Sequence, residues 1–511
     1  MHSTLLGGHI TTSQLKRPMM SRPNILYILS DQHAQGVSGC YGDPVVRTPN
    51  IDRLAAGGVR FENAYTPSPL CLPARMSLLT GRYPYRNKCW TNTDSLASDI
   101  PTFAHAQGAV GYAPILIGRM HALGSDQLHG YVRREIGDHM TDWYGGSEYS
   151  MGILNGAQRP NREALQLSGA GQSSYEVLDR EVTGAAIEEI RLIAENRRNG
   201  DDTPFSLSVG YILPHQPYAG DPELVDYYLE RISPPRLSRQ EDGEPEFLSW
   251  WRDAIGMNAM TVTEEMRAKA AYYALVETMD REIGKIVDEL DAQQLSENTL
   301  IIYTSDHGDQ LGERDLWFKQ TFYDHSAKVP LILNWPKELP KGTICGRVVN
   351  LTDLSATMVD AAGHDPLPQS DGQSLLDIAK APETPWDDTT FSEYCSDGMQ
   401  AWARGRMILS RMIRKGKWKL NYYHQDRHQL FDLHNDPDEI TNIYGHPEHA
   451  QIQSELLVEL LANWSPEDIQ KQLESSKATK KILLNWAAST EPVDRYRWMT
   501  EVDQNWLRLG S

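Results

Sequence analysis

The sequence has few cysteines, no long hydrophobic run and no excess of positive charge. Its 511 residues include five cysteines, an odd number, scattered without a CxxC pair, which excludes a disulfide framework and a cysteine-rich zinc site. The longest apolar runs are far shorter than the ~20 residues of a membrane helix. With 49 Lys+Arg against 69 Asp+Glu, the net charge of −20 argues against nucleic acid as a partner. We therefore expect neither a membrane anchor nor a nucleic-acid partner.

The first 21 residues differ from the rest of the chain. Residues 1–21 are polar, contain glycine and serine, and lack the apolar segment of a secretory signal. We interpret them as a disordered leader and expect a cytoplasmic protein. The chain as a whole is 40% hydrophobic and 23% charged, which is an ordinary globular composition with room for roughly two to four domain-sized units.

Strand and helix patterns alternate over residues 22–375. Nearly continuous apolar runs predict buried strands at residues 24–30, 205–213, 300–304 and 331–333. Apolar residues at helical spacing predict helices at residues 175–196 and 266–290. Strands buried on both faces that alternate with helices are typical of an α/β fold, so we predict a mostly parallel central sheet flanked by helices.

The pattern changes in the last part of the chain. Alternating residues at 415–423 and 429–433 indicate antiparallel strands, and a helix is expected at about 448–463. Residues 376–511 are therefore predicted to form a smaller C-terminal α+β subdomain with a tail. The tail contains Trp486, Trp498 and Trp506 in a polar background. Such aromatic segments pack on the chain's own body or on a neighbouring subunit, so a homo-oligomer assembled through the tail is one expectation.

Polar residues follow two of the predicted buried strands. Asp31 and Gln32 come directly after the first strand, and Asp306 and His307 follow the strand at 300–304. Ligand sites of open α/β sheets lie at the carboxyl ends of strands. Two carboxylates, an amide oxygen and an imidazole meeting there would form a divalent-metal site. A strand-end aspartate alone is more often a turn or helix-cap residue, so the metal hypothesis depends on both segments together.

Cys71 is predicted to lie at the beginning of a helix. Pro73 suits the first helical turn, and Arg75 lies one turn further on the same face as Cys71. The free N–H groups of a helix N-terminus and a forked guanidinium can both hold an anion. The alternative is a buried structural cysteine before an amphipathic helix, but that interpretation does not explain the spacing of the proline and the arginine.

The segment Cys71-Leu-Pro-Ala-Arg75, followed by Leu79-Thr-Gly-Arg82, resembles the sulfatase signature, in which the cysteine is oxidised to formylglycine. Other segments also resemble sulfatase sequences, and the resemblance covers most of the chain: residues 30–32, 48–54, 305–308 and 429–438. Residues 99–105 and 118–130 resemble choline sulfatase and its relatives most closely. The resemblance implies an alkaline-phosphatase-like α/β fold with a smaller C-terminal sheet subdomain.

The resemblance also implies a nucleophile and a metal. A formylglycine-generating or equivalent maturation enzyme would convert Cys71, and the hydrated aldehyde would attack sulfur. One divalent metal would be held by Asp31, Gln32, Cys71, Asp306 and His307. Calcium is the family default, while Mn²⁺ or Mg²⁺ is also credible because Gln32 and His307 reduce the anionic ligand charge and add a nitrogen ligand. Many sulfatases have a second Asp where Gln32 stands.

Further catalytic roles follow from the same resemblance. Arg75 would hold the nucleophile and the metal-side carboxylates. Arg119 stands where the family usually has Lys; His121 would lie on the same strand face if that stretch were extended, and it is the expected base for the diol. His215 and Lys319 are expected to bind the sulfate group and to help protonate the leaving oxygen.

The function implied is hydrolysis of a small-molecule sulfate monoester, with a choline-like or other alkyl sulfate ranked before an aryl or sugar sulfate. Two alternatives stay open. Gln32 is also typical of phosphonate monoester and phosphodiester hydrolases on the same scaffold, and a non-catalytic anion-binding homologue would keep the fold without turnover.

Overall fold

The structure is a computed structural model that describes residues 22–147, 149–239 and 243–508, so the predicted leader at residues 1–21 lies outside the described residues. The strands, in chain order, are β1 (Asn24–Asp31), β2 (Val59–Tyr65), β3 (Pro114–Gly118), β4 (Arg133–Glu135), β5 (Gly169–Gln172), β6 (Ser206–Pro214), β7 (Ala219–Gly220), β8 (Thr299–Ser305), β9 (Leu331–Asn334), β10 (Thr343–Asn350), β11 (Thr389–Ser396), β12 (Ile408–Lys415), β13 (Trp418–Tyr423), β14 (Gln429–Asp432) and β15 (Trp506–Leu507). The α-helices are α1 (Pro49–Ala56), α2 (Cys71–Thr80), α3 (Pro84–Asn87), α4 (Phe103–Ala109), α5 (Arg162–Gln166), α6 (Ser174–Arg198), α7 (Pro222–Leu229), α8 (Glu246–Ala254), α9 (Val262–Ala292), α10 (Asp324–Ala327), α11 (Leu351–Ala361), α12 (Leu376–Lys380), α13 (Ala450–Leu461) and α14 (Pro466–Thr490).

An eight-stranded sheet forms the centre of the molecule, in the order β10-β2-β9-β8-β1-β6-β3-β4. β1 pairs in parallel with β6 on one side and with β8 on the other. β9 runs antiparallel to both of its neighbours, β2 and β8. The predicted mostly parallel α/β sheet is therefore confirmed, and its predicted strands and helices correspond to β1, β6, β8, β9, α6 and α9.

The central sheet is buried on both faces, as the continuous apolar runs predicted. In β1, Leu26 and Ile28 belong to one apolar cluster, which also contains buried residues of α6 and α9. Ile25, Tyr27 and Leu29 belong to a second cluster, which contains residues of α2 and α11. Because side chains alternate along a strand, the two faces of β1 are covered by different helices.

A second, four-stranded sheet lies in the C-terminal part, with antiparallel β11, β12, β13 and β14 in chain order. The predicted strand at 415–423 is corrected in one respect. Lys415 ends β12, and β13 begins only at Trp418, because Gly416 takes a positive φ of 54° in the turn between them. The predicted helix at about 448–463 is confirmed as α13.

The sequence interpretation missed α14, which occupies residues assigned to the aromatic tail. Ser465 caps this helix by accepting a hydrogen bond from the Asp468 N–H, and Pro466 stands in its first turn. Both are ordinary helix-start signals. Its apolar residues do not form one buried face, however, since Ile482, Leu484 and Trp486 are exposed, and this explains why periodicity did not reveal it.

The segment after α14 packs on the chain's own α/β domain. β15 pairs antiparallel with β5, Trp506 opposite Gln172. Further back, the Asp138 N–H donates to the Tyr496 carbonyl over 2.9 Å and the Trp498 N–H donates to the Asp138 carbonyl over 2.8 Å. The aromatic tail thus covers the edge of the domain that contains Asp138, while assembly of subunits through it stays a prediction. Within the described ranges, no helix combines the length and apolar content needed to cross a bilayer.

Gly137 provides a test of this tail contact. A Cβ atom at position 137 would lie 1.5 Å from the Tyr496 carbonyl oxygen, so Gly137→Ala must push the tail away. We expect limited proteolysis to cleave the variant faster after residue 490, detected by mass spectrometry, and its thermal midpoint to fall. Gly184→Ala is the control, since its Cβ meets nothing within 4 Å in helix α6. Equal cleavage rates in the two variants would contradict the contact.

Candidate active site

Three strand ends place the predicted residues side by side. Ser30 of β1 is in register with Ser305 of β8, so the segments that follow these two residues leave the sheet together. On the other side, Asp31 pairs with Pro214 at the end of β6, and His215 therefore emerges next to Asp31. Parallel strands end at the same edge of a sheet, and this edge is the site that the sequence predicted.

Four of the predicted ligand residues form one buried cluster. One ligand atom from each of Asp31, Cys71, Asp306 and His307 lies within 4.8 Å of the others. The Cys71 Sγ atom is 3.2 Å from His307 Nε2 and 3.6 Å from Asp31 Oδ1. The His307 Nδ1 atom bonds the Gly308 carbonyl over 3.0 Å, so Nδ1 carries the hydrogen and Nε2 is left with a lone pair. Burial lowers the pKa of His307, which keeps the imidazole neutral, as a metal ligand must be.

Gln32 follows Asp31 directly and has a buried oxygen to which no described residue is hydrogen-bonded. Its Nε2 atom donates to Asp309, Tyr218 and Gln216, whereas its Oε1 atom is buried and has no hydrogen-bond partner among the described residues. Buried polar atoms without a partner are rare and costly. Two carboxylates, an amide oxygen without a partner, a neutral imidazole and a sulfur therefore fit a divalent cation.

Cys71 is the first residue of α2, as predicted, and every residue of this helix is buried. The next N–H group, that of Leu72, donates to Asn92 Oδ1 over 3.0 Å. On the other side, Lys319 Nζ lies 2.9 Å from the Cys71 sulfur. Burial, with a further contribution from the Asp31 charge, raises the pKa of the thiol to about 11. The side chain is thus held between a lysine and the cluster, at the positive end of a helix.

Arg75 joins the two carboxylates of the cluster. Its Nε atom bonds Asp306 Oδ2 over 2.8 Å and its Nη2 atom bonds Asp31 Oδ2 over 3.1 Å, and all three side chains are buried. Burial alone would raise the pKa of Asp31, but the charges of Arg119 and Arg75 hold that pKa well below its usual range. Both carboxylates come from different strands, so one guanidinium fixes the distance between the two strand ends.

Arg119 contacts three residues at once. Its Nε atom bonds Asp31 Oδ2 over 2.8 Å, its Nη1 atom bonds Asp138 Oδ1 over 2.9 Å and its Nη2 atom bonds His121 Nδ1 over 2.9 Å. The extended stretch considered for His121 is absent, because β3 ends at Gly118 and His121 has a positive φ of 60°. The two side chains meet through the loop and not through strand alternation.

The hydrogen bond from Arg119 determines which nitrogen of His121 carries the proton. A guanidinium can only donate, so Nδ1 of His121 must accept and Nε2 carries the hydrogen. Burial and the Arg119 charge lower the pKa of His121 well below 6.5, which keeps it neutral. Its Nε2 atom is buried and has no partner among the described residues. His121 therefore presents an unpaired N–H group.

His215 presents the opposite arrangement. Its Nδ1 atom lies 2.6 Å from the Gln216 carbonyl and must donate to it, which leaves Nε2 without a hydrogen in the neutral ring. Burial and the Lys319 charge lower the pKa of His215 well below 6.5. The structure thus brings all the predicted site residues to one edge of the sheet, and it distinguishes the two histidines by tautomer.

Several residues near the site were not predicted from the sequence. Asp138 accepts hydrogen bonds from Arg119 and from the backbone of His121. His139, to which the sequence interpretation gave no role, lies 3.0 Å from Arg119 Nη1. Asp138 and His139 follow β4, which pairs in parallel with β3, so a strand end was again the signal. β4 has only three residues, too few to be recognised by periodicity.

Arg119→Lys tests whether the three-way contact matters. A single ammonium cannot reach Asp31, Asp138 and His121 together, so at least one of these buried groups loses its hydrogen bond from residue 119. Removing one partner of a buried pair costs about 3–5 kcal/mol, and we expect a clearly lower thermal midpoint. Arg191→Lys, in an exposed pair with Glu289, is the control and should change little. Equal midpoints for the two variants would contradict the assignment.

Comparison with known proteins identifies the family of the chain. The Sulfatase family model matches residues 23–364, and the model for the C-terminal part of N-sulphoglucosamine sulphohydrolase matches residues 312–465. A choline-sulfatase of Rhizobium meliloti is 31% identical over 90% of this chain and 91% of its own length. An arylsulfatase of Clostridium perfringens is 27% identical over 84% of this chain and 92% of its own. The structure of a phosphonate monoester hydrolase of Agrobacterium radiobacter superposes with a TM-score of 0.72 at 23% identity, over 88% of this chain and 96% of that one. The chain belongs to the sulfatase family of sulfuric ester hydrolases.

Proposed function

We propose that this protein hydrolyses a small-molecule sulfate monoester, using formylglycine formed from Cys71 and one divalent metal. The observation that carries the proposal is the buried cluster in which Cys71, Asp31, Asp306 and His307 present ligand atoms within 4.8 Å of one another. The cysteine of the signature motif thus lies where its oxidised form could share a metal with these carboxylates.

The metal would be held by Asp31, Asp306, His307, the Oε1 atom of Gln32 and the side chain at position 71. When bound, such an ion polarises a sulfuryl oxygen and lowers the pKa of an attacking hydroxyl. A formylglycine hydrate supplies a hydroxyl nucleophile for sulfur and, afterwards, a route for sulfate release. Calcium suits the oxygen ligands, while Mn²⁺ and Mg²⁺ are alternatives because of the neutral amide and the imidazole.

The cationic residues would bind the ester and orient it. Arg75, Arg119 and Lys319 are paired with Asp31, Asp306 and Asp138. A divalent ion would add positive charge to this balanced set, which favours an anionic ester and the charge that develops on it.

Proton transfer can be divided among three side chains. Lys319 and the N–H of His121 are available as donors to the leaving oxygen and to sulfuryl oxygens. Since Nε2 of His215 lacks a hydrogen in the neutral ring, His215 can accept a proton. We therefore propose His215 beside His121 for the base step that the sequence gave to His121 alone, because abstraction by His121 requires its contact with Arg119 to break.

The substrate class follows the relatives. We place a choline-like or other alkyl sulfate first, supported by the identity to the choline-sulfatase, and an aryl or sugar sulfate second. Maturation by a formylglycine-generating enzyme, a cytoplasmic location and a homo-oligomer through the C-terminal tail remain predictions. The exposed side chains of Ile482, Leu484 and Trp486 on α14 favour such an assembly.

A second candidate is hydrolysis of a phosphonate monoester or phosphodiester. It is favoured by Gln32 and by the fold shared with the phosphonate monoester hydrolase. Parallel kcat/KM values for nitrophenyl sulfate, choline sulfate and a bis-nitrophenyl phosphate decide between the two candidates. We expect a sulfate ester to be preferred; preference for the phosphodiester by orders of magnitude would reverse the ranking.

Conversion of Cys71 is the part of the proposal that is tested most easily. Protein produced with a formylglycine-generating enzyme should show a peptide containing residue 71 that is about 18 Da lighter, as expected for replacing the thiol CH₂–SH by an aldehyde. Cys71→Ala should fold and lose sulfate-ester hydrolysis by several orders of magnitude, because it has no nucleophile. Full activity in that variant, or an unconverted cysteine in active protein, would contradict the proposal. An unconverted and inactive wild type would instead support the non-catalytic homologue.

Asp306→Ala tests the metal. The variant loses a ligand and leaves Arg75 with one carboxylate, so both metal content and activity should be lost. Metal is measured by elemental analysis of the purified protein, and EDTA treatment of the wild type should reproduce the loss of activity, with recovery on adding Ca²⁺ or Mn²⁺. A variant that retains stoichiometric metal would show that the ligand assignment is wrong.

A further inference from the structure

Behind the ligand set, Gln32 contacts a buried carboxylate without an assigned role. Gln32 Nε2 donates to Asp309 Oδ2 over 2.6 Å, and the Tyr218 hydroxyl donates to the same oxygen. The other oxygen, Oδ1, accepts from the N–H groups of Leu311 over 3.0 Å and Phe318 over 2.9 Å. Asp309 is fully buried, so four donors hold its carboxylate in one orientation.

This carboxylate determines which end of the Gln32 amide faces the cluster. Both oxygens of Asp309 already accept hydrogen bonds from the Tyr218 hydroxyl and from two backbone N–H groups, so they present acceptors to Gln32. The NH₂ end of Gln32 must therefore point to Asp309, and Oε1 must point away. A flipped amide would place Oε1 against Asp309 Oδ2 and leave both oxygens without a hydrogen between them. This contact, together with the longer hydrogen bond of 3.0 Å to Gln216 Oε1, leaves the Oε1 atom of Gln32 buried without a partner among the described residues.

The main chain of Gln32 is held in place. Its φ is +70°, in the left-handed region that non-glycine residues seldom adopt. The Tyr272 hydroxyl donates to the Gln32 carbonyl over 2.6 Å, and the Gln32 N–H donates to Asp306 Oδ1 over 3.1 Å. With the main chain fixed at both ends, only rotation within the side chain can reorient the amide.

We propose that Asp309 is a positioning residue that makes Gln32 an oxygen ligand. It fixes the amide so that Oε1 faces the metal. It also places a negative charge on the far side of Gln32, outside the ligand set. Many sulfatases carry that charge on the ligand itself, at the position of Gln32. The role rests on the proposed function, since it requires a bound divalent ion. Metal affinity is the quantity that Asp309 controls.

Asp309→Asn is the decisive single variant. Two backbone N–H groups hold the side-chain oxygen that remains, so the new NH₂ group must face Gln32. The new NH₂ group would then face the NH₂ group of Gln32, and neither can accept a hydrogen bond. The Gln32 amide should therefore flip and turn its own NH₂ group towards the ion. We expect calorimetric titration of EDTA-treated full-length protein to show Ca²⁺ and Mn²⁺ binding weakened by about 10–100-fold, the range for outer-shell partners of metal ligands.

A charge swap separates positioning from simple damage. Gln32→Glu alone places two carboxylates against each other and should lower the thermal midpoint. Combined with Asp309→Asn, the glutamate can accept from the asparagine NH₂ group through one oxygen and present the other to the ion, at the same total charge as the wild type. The double variant should therefore bind metal more tightly than Asp309→Asn and unfold at a higher temperature than Gln32→Glu.

Asp280→Asn is the matched control. Asp280 is also buried and accepts from a backbone N–H, that of Ile51 over 2.8 Å, and from a side-chain amide, that of Asn50 over 2.9 Å. No hydrogen bond of the described residues joins it to the ligand set. This variant should lose stability and keep its metal affinity.

Three outcomes would overturn the role of Asp309. They are wild-type affinity in Asp309→Asn, equal loss of affinity in Asp280→Asn, and a double variant that binds no better than Asp309→Asn. If Asp309→Asn does not fold, Gln32→Glu and the double variant supply the comparison, and equal metal affinity and stability in those two would also overturn it. A wild-type protein that binds neither ion would instead overturn the proposed function itself.

Discussion

The site depends on the parallel register of β1 and β8. This pairing places Asp31 and Asp306, 275 residues apart in the chain, at one edge of the sheet. Two buried carboxylates brought to adjacent strand ends would repel each other and push the strand ends apart. Arg75 prevents this by bonding both carboxylates, and it lies one helical turn after Cys71 on α2. One guanidinium thereby links the ends of β1 and β8 to the helix that begins with Cys71.

The remaining cations follow from the same constraint. Arg119 shares Asp31 with Arg75 and passes a second hydrogen bond to Asp138, whose backbone is bonded by the C-terminal tail. Lys319 approaches the Cys71 sulfur from the loop after β8. Each charged group in the centre is thus paired with a group from a different part of the chain. The pairs Arg75–Asp306 and Arg119–Asp31 join residues 231 and 88 positions apart, so they depend on the assembled sheet.

The strand ends, the start of α2 and the meeting of Asp31, Cys71, Asp306 and His307 at one edge of the sheet could be predicted because their signals are local. Continuous apolar runs indicate buried strands, and a proline two residues after Cys71 indicates a helix start. The tautomers of His121 and His215 and the contact between Asp309 and Gln32 could not be predicted, because they depend on side chains that meet only in three dimensions. β4 was too short to recognise, and α14 lacks the single buried face that periodicity detects.

Gln32 and the buried carboxylate of Asp309 behind it illustrate how charge can be distributed around such a site. With Asp309 in contact behind it, the amide would provide an oxygen ligand while the carboxylate lies further from the ion. With less negative charge among its ligands, a divalent ion would be attracted less strongly. More of its positive field would then act on the substrate. The neutral ligand at position 32 therefore need not weaken the site, provided that its amide is held in one orientation.

A crystal structure of the matured enzyme with metal bound tests the central claim most directly. Anomalous diffraction from a Mn²⁺-loaded crystal should show one ion in contact with Asp31, Asp306, His307, the Oε1 atom of Gln32 and an oxidised side chain at position 71. An ion located elsewhere, or a residue 71 that points away from an ion held by these carboxylates, would contradict the account.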